Sequence, residues 1–137
     1  MAFTRENSIG NAVHSYSSGE IQIIQNMVVN GEMEYALKAI SSNLIINAST
    51  LIIDWAVKNL DEITNDSMQQ IVDLDPEIVI LGVGSKFKLA PVKINLLFQK
   101  HNIGLEVMDT AAACRTYNFL LTEGRNVAAA LIQIATE

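Results

Sequence analysis

The sequence predicts a single layered α/β domain whose sheet mixes parallel and antiparallel strands. Three observations predict it. Ile78-Val79-Ile80-Leu81 is apolar at every residue, which suits a strand covered on both faces, as in a parallel sheet between helices. From there the pattern runs turn, helix, strand, helix, strand as far as Ile132. Two strand-to-helix crossovers with short connections favour parallel pairing along the right-handed path. Upstream, Asn30-Gly31 sits between apolar and alternating residues, a two-residue hairpin signature that adds antiparallel pairing.

The 137 residues fit one domain, residues 1–137, and a chain of this size buries about two-thirds of its unfolded surface without a staple. Residues 1–11 read as a loosely ordered N-terminus that Phe3 or Ile9 would tie down. Val13, Tyr16 and Ile21 to Ile24 follow, broken by the turn signal Ser17-Ser18-Gly19. The hairpin places strands near 27–29 and 32–36. Ala36 to Ser42 either begins a short turn of helix or extends the second hairpin arm. Leu44-Ile45-Ile46 is a compact strand. Leu51 to Trp55 is a further short strand or an irregular edge segment, with Trp55 packed over the core.

Ile63 to Val72 predicts a helix. Thr64 is its N-cap, Asp66 lies in the first turn, and Ile63 with Met68 has the spacing of a hydrophobic staple. Asp73 and Asp75-Pro76 stop it, and Pro76 biases Asp75 away from the helical region. Pro91 marks the first turn of the next helix. Val92, Ile94, Leu96, Leu97 and Phe98 cover more than one of its faces, with Lys93, Gln99 and Lys100 on the wet side. Leu105 to Met108 is the next strand. Asp109 or Thr110 caps the helix after it, and Gly124 ends that helix. Val127 to Ile132 is the last strand; its three alanines predict a helix close above it. Gln133 to Glu137 frays.

Composition narrows the function classes. A net charge of -6 and a pI near 4.8 repel phosphate backbones, so nucleic acid is not the expected partner. One cysteine, Cys114, excludes an internal disulfide and a multi-cysteine metal site. His14 and His101 belong to no metal motif. The first eleven residues have no apolar core and are not Arg-rich, so neither a secretory signal nor a transit segment is expected. No apolar run approaches the roughly 18–20 residues that span a bilayer. A reducing, cytoplasmic setting is the default expectation.

In open α/β sheets ligands lie beyond the carboxyl ends of the strands. Two such ends are visible, and they share a rim if strands 78–81 and 105–108 are neighbours. At the first, Gly82 and Gly84 permit tight backbone geometry, Ser85 follows, and Lys86 adds charge beside N–H groups that would face an anion. This is neither a Walker loop nor a full dinucleotide fingerprint, and a tight turn that needs glycine for conformation alone is the simpler account. At the second, Asp109 and Thr110 precede a helix carrying Cys114, Arg115, Tyr117 and Asn118. Asp109 is a helix cap or the charged lip of a pocket with Arg115 as counter-ion. A helix N-terminus and Arg115 would favour a Cys114 thiolate, but no base is placed nearby, and a small core residue is the simpler account. Arg115 either forks onto a carboxylate or phosphate or fixes the helix through an ion pair. Asn118 in mid-helix predicts an amide bonded to a nearby loop. No catalytic residue, metal site or cofactor is assigned.

Ile78 to Gly84, then Gly104-Leu105-Glu106-Val107-Met108-Asp109-Thr110-Ala111-Ala112-Ala113-Cys114-Arg115-Thr116-Tyr117-Asn118, closely resemble the Mth938-like domain family, long an uncharacterised-domain family that includes the mitochondrial complex I assembly factor 3. Glu123 to Leu131 is similar to the family's closing segment. The Asn30-Gly31 hairpin and Asp54-Trp55 are similar to its first half. The resemblance implies a compact three-layer α/β domain with a mixed sheet. It carries over no catalytic set, and implies a non-enzymatic protein-binding or assembly module with an unidentified protein partner. The chain is expected to be without the eukaryotic relative's targeting extension and to be bacterial. It departs from the family at Ala111, where glycine is common, and at Val83, where the family has Gly-Thr-Gly or similar. The alternative is a small-molecule or anion binder, or an enzyme, using the rim of Gly82–Lys86 and Asp109–Arg115. Self-association into a homodimer through the apolar first half is compatible with either.

Overall fold

The computed structural model describes residues 10–135. Phe3 and Ile9, expected to tie down the N-terminus, lie outside them. Gly10 and Asn11, expected to be loose, already belong to a strand. Eight strands form, β1 (Gly10–Ser17), β2 (Glu20–Val29), β3 (Glu32–Ile40), β4 (Leu44–Ile46), β5 (Leu51–Ile52), β6 (Ile78–Val83), β7 (Gly104–Met108) and β8 (Val127–Ile132). The helices are α1 (Asn65–Val72), α2 (Val92–Lys100) and α3 (Thr110–Thr122), with a single 3₁₀ turn at Leu60–Glu62.

The strands form two sheets. β1-β2-β3 is antiparallel, and β5-β4-β8-β6-β7 is mixed. In the second, β6 runs parallel to both β7 and β8, while β4 pairs antiparallel with β8 and β5. The mixed sheet therefore takes its antiparallel strands from β4 and β5. The Asn30-Gly31 hairpin builds a separate sheet. Its turn has Asn30 and Gly31 both at positive φ, 52° and 82°, and Val29 faces Glu32. Residues 36–40 extend its second arm, and Leu51-Ile52 is a strand.

Alternation along the central strands splits the core. Ile45, Val79, Leu81, Val83, Ala130 and Ile132 face one side, where Trp55, Met68, Ile71, Ile94 and Phe98 cover them. Leu44, Ile46, Ile80, Ala129 and Leu131 face the other, under Ala113, Cys114, Tyr117 and the inner residues Val13, Ile21 and Ile23 of the small sheet. The layers are thus α1 and α2, the mixed sheet, and α3 with the three-stranded sheet. Of the three alanines of β8, Ala129 lies beneath α3; Ala128 and Ala130 point to the opposite face.

α1 begins as predicted. Thr64 Oγ1 accepts from the Ser67 N–H, and Ser67 Oγ accepts from the Thr64 N–H. Trp55 is buried and its indole N–H donates to the Ser67 carbonyl at 3.2 Å. Asp75 is kept out of the right-handed helical region as expected and is left-handed (φ 55°), a conformation tolerated by aspartate; Asn126 Nδ2 donates to its carbonyl at 2.9 Å. Two further expectations fail. Pro91 stands one position earlier, at the N-cap of α2, and Val92 and Leu96 are exposed because α2 buries only the stripe through Ile94 and Phe98. Residues 133–135 are tied down. Gly19 N–H donates to the Ile134 carbonyl at 2.8 Å, and the Ala135 N–H to Ser85 Oγ at 2.9 Å.

Candidate functional site

β6 and β7 are parallel neighbours, so the two predicted loops share a rim. α2 follows β6 on one face and α3 follows β7 on the other, which makes their carboxyl ends the switch point where a crevice would open. Thr110 fills it. Its hydroxyl accepts the Gly84 N–H at 2.8 Å and donates to the Ile132 carbonyl at 2.6 Å, while its own N–H donates to the Gly84 carbonyl at 2.9 Å. Thr110 is fully buried. The Gly84 N–H therefore has a partner and does not face an anion.

Gly82 explains how α3 comes so near. A Cβ there would stand 2.9 Å from Thr110 Oγ1 and 3.0 Å from both Ala113 Cβ and Leu131 Cδ2. Gly84 answers a different need, since its φ is +101°. Asp109 is a cap: its carboxylate accepts the Ala112 N–H at 2.9 Å, and it forms no ion pair with Arg115.

The other predicted site residues turn away from the rim. Arg115 Nη1 donates to the hydroxyl of Tyr16 at 2.7 Å, at the solvent-exposed tip of a partly buried ring of β1. Cys114 is buried in the core beneath the small sheet. Burial pushes its thiol up to about 12, outweighing the opposing pull of Arg115, so no thiolate forms there near neutrality. Tyr117 is buried, its hydroxyl donates to the Asn11 carbonyl at 2.7 Å, and burial raises its phenol above the ordinary range. Asn118 bonds a strand, not a loop. Its Oδ1 accepts the Val13 N–H at 2.9 Å and its Nδ2 donates to the Val13 carbonyl at 2.7 Å. This amide serves Val13 as a neighbouring strand would. It does so where β1 bulges at His14, between the pairs Val13–Ile23 and Ser15–Gln22.

Ser85 and Lys86 line a cleft of about 370 Å³ just outside the rim, with Gly84, Lys58, Lys88 and Gln133. Among the described residues its lining holds three lysines and no carboxylate, in a chain of net charge -6. An adjoining cleft of about 490 Å³ shares Lys58 and Gln133 and carries Asp54 and Glu62. Sequence reasoning missed Lys58, Lys88 and Gln133. Gln133 Nε2 donates to the Ile40 and Ser42 carbonyls at 2.9 and 2.8 Å, and its N–H to Asn43 Oδ1 at 2.7 Å. Its Oε1 is buried with no partner among the described residues. No local pattern marks a glutamine for this position. Among the described residues no group of His, Cys, Asp and Glu side chains is arranged to hold a metal ion.

A family profile described as "Protein of unknown function (DUF498/DUF598)" matches residues 13–132, nearly the whole described fold. The chain belongs to this family. Among DUF498/DUF598 relatives, the bovine NADH dehydrogenase [ubiquinone] 1 alpha subcomplex assembly factor 3 is 32% identical over 130 residues, covering 93% of this chain and 64% of the bovine protein. The chain thus spans less than two-thirds of that relative's length. A Bordetella parapertussis crystal structure is similar, with a TM-score of 0.74 and 29% identity over 92% of this chain and 98% of the other. A Bordetella pertussis solution structure described as a Mth938-like domain has a TM-score of 0.71 and 24% identity, over 93% and 88% of the two chains, and shares the fold. The three-layer α/β fold with its mixed sheet is that of the Mth938-like family.

Proposed function

We propose that this protein is a non-enzymatic, protein-binding assembly module related to the respiratory complex I assembly factors, working in the cytoplasm on protein partners and not on nucleic acid. One observation carries this proposal. The crevice between the carboxyl ends of β6 and β7 is filled by the buried Thr110 and its three hydrogen bonds. The assembly-factor relatives support the same direction, as does a net charge of -6 that disfavours phosphate backbones. Among the described residues no helix is long and apolar enough to cross a membrane. Co-purification from native extract, quantified against an unrelated bait, should return the same protein partner in repeated preparations. Repeated recovery of none, with a small molecule bound instead, sinks the proposal.

The lysine cleft supports a second function, binding of a small anion at Ser85, Lys86, Lys58 and Lys88. Native mass spectrometry of gently purified protein, repeated after denaturation, should then reveal a non-covalent anionic adduct. Lys86→Ala should remove it without changing the fold. Arg115→Ala should leave it in place, because Arg115 is bound to Tyr16.

A further inference from the structure

β3 is an edge strand of nine residues, eight of them exposed. The edges of the other sheet are shorter, with two residues in β5 and five in β7. An open edge is a template for another strand, and proteins usually blunt one with proline, a bulge, charged side chains or a covering segment; β3 keeps its charges, Glu32, Glu34 and Lys38, on the face away from Met33, Tyr35 and Leu37. β1 has both a bulge and a covering side chain, Asn118. β3 contains no proline or glycine and pairs with β2 without a register shift.

Ile40 points into the core, so Met33, Tyr35 and Leu37 lie on the outer face, 37, 67 and 53% exposed. Ile24 and Val28 of β2 stand opposite Leu37 and Met33 on that face. The closing pair of a two-residue hairpin, here Val29 and Glu32, bonds in both directions. It follows that Glu32, Glu34, Ala36 and Lys38 direct their backbone groups to β2. Met33, Tyr35 and Leu37 direct theirs outwards, ready for a further strand.

We propose that β3 pairs antiparallel with β3 of a second copy about a two-fold axis at Tyr35, fusing the two small sheets into one. The strand is self-complementary in this register. Glu32 faces Lys38 twice on one side of the sheet. Met33 faces Leu37 twice on the other, with the two Tyr35 rings between them. Moving the axis to Glu34 sets that carboxylate against its own copy. Moving it to Ala36 sets Glu32 against Ile40, which is 5% exposed and seated in the core. The pairing stands independently of the assembly role and of the lysine cleft.

Sedimentation velocity over a concentration series tests it on the full chain, with circular dichroism checking that each variant folds. The wild type should show a monomer–dimer equilibrium. Lys38→Glu and Glu32→Lys each place like charges opposite one another at two symmetric positions, and each should weaken the dimer about tenfold or more. The double exchange Glu32→Lys with Lys38→Glu should restore wild-type association to within about threefold. A wild type that stays monomeric at the highest concentration overturns the proposal, as do unaffected single variants or a double variant that fails to recover. Recovery by Glu34→Lys with Lys38→Glu instead overturns the Tyr35 register.

Discussion

The three-stranded sheet has two edges, and they are treated in opposite ways. Along β1 the outward backbone groups are taken up by the rest of the molecule. Asn11 N–H donates to the Ala48 carbonyl, Tyr117 donates to the Asn11 carbonyl, and Asn118 takes both groups of Val13. Along β3 the residues from Glu32 to Ala39 stand exposed. Three residues of α3 make much of this difference. Arg115, Tyr117 and Asn118 are the residues that an isolated sequence offers as a polar site. Placed against β1, they are fasteners. Polar chemistry on a helix near a loop rim can serve a neighbouring strand as readily as a ligand.

The comparison is broken most severely by removing the largest fastener. Tyr117→Ala should cost about 3–5 kcal/mol in denaturant unfolding, by leaving a cavity between α3 and the small sheet. Asn118→Ala should cost about 2–3 kcal/mol, since Val13 loses partners for a donor and an acceptor in a part-buried site. Hydrogen exchange at Val13 should then speed up before exchange in β6 does. A loss below about 0.5 kcal/mol would mean that β1 is held by packing alone and that the amide is incidental.

A pH series sharpens the same contrast. Burial raises the Cys114 thiol from its ordinary 9.0 to about 12, so the folded state favours the protonated form. Its contribution is fully present below pH 9 and is lost as pH rises towards 12, by about 1.4 kcal/mol per pH unit. Tyr117 adds in the same direction. Cys114→Ala should flatten part of that alkaline loss, and an unchanged slope would show that Cys114 does not carry it. The smallest effect belongs to the open edge. Tyr35→Ser should change monomer stability by no more than about 0.5 kcal/mol, measured at a concentration too low for association. A loss like that of Asn118→Ala would erase the distinction between the edges.

What the sequence disclosed depended on how local the cause was. The hairpin at Asn30-Gly31, the cap at Thr64 and the run Ile78 to Leu81 each carry their reason within a few residues, and each stands where expected. β1 was hidden because its alternation is broken by the bulge at His14 and because the side chains that take up its backbone groups, Tyr117 and Asn118, lie over a hundred positions away. The candidate rim was half legible. Parallel order brought Gly84 to Thr110, but only the fold reveals that Thr110 closes the crevice. Lys58 and Gln133 reached the cleft through tertiary placement that no local spacing records.

The position of β8 has a consequence for how the chain is made. It is the last strand in sequence and the middle strand of its sheet, bonded to β4 on one side and β6 on the other. A ribosome therefore releases both flanking strands before the one that joins them. Until Val127 to Ile132 emerges, Leu44-Ile45-Ile46 and Ile78 to Val83 each present an apolar, unpaired edge to solvent. The sheet therefore closes in one late step, after the apolar strands on either side have been made. A stop codon before residue 127 would yield two disconnected sheet fragments for proteases and not a smaller domain.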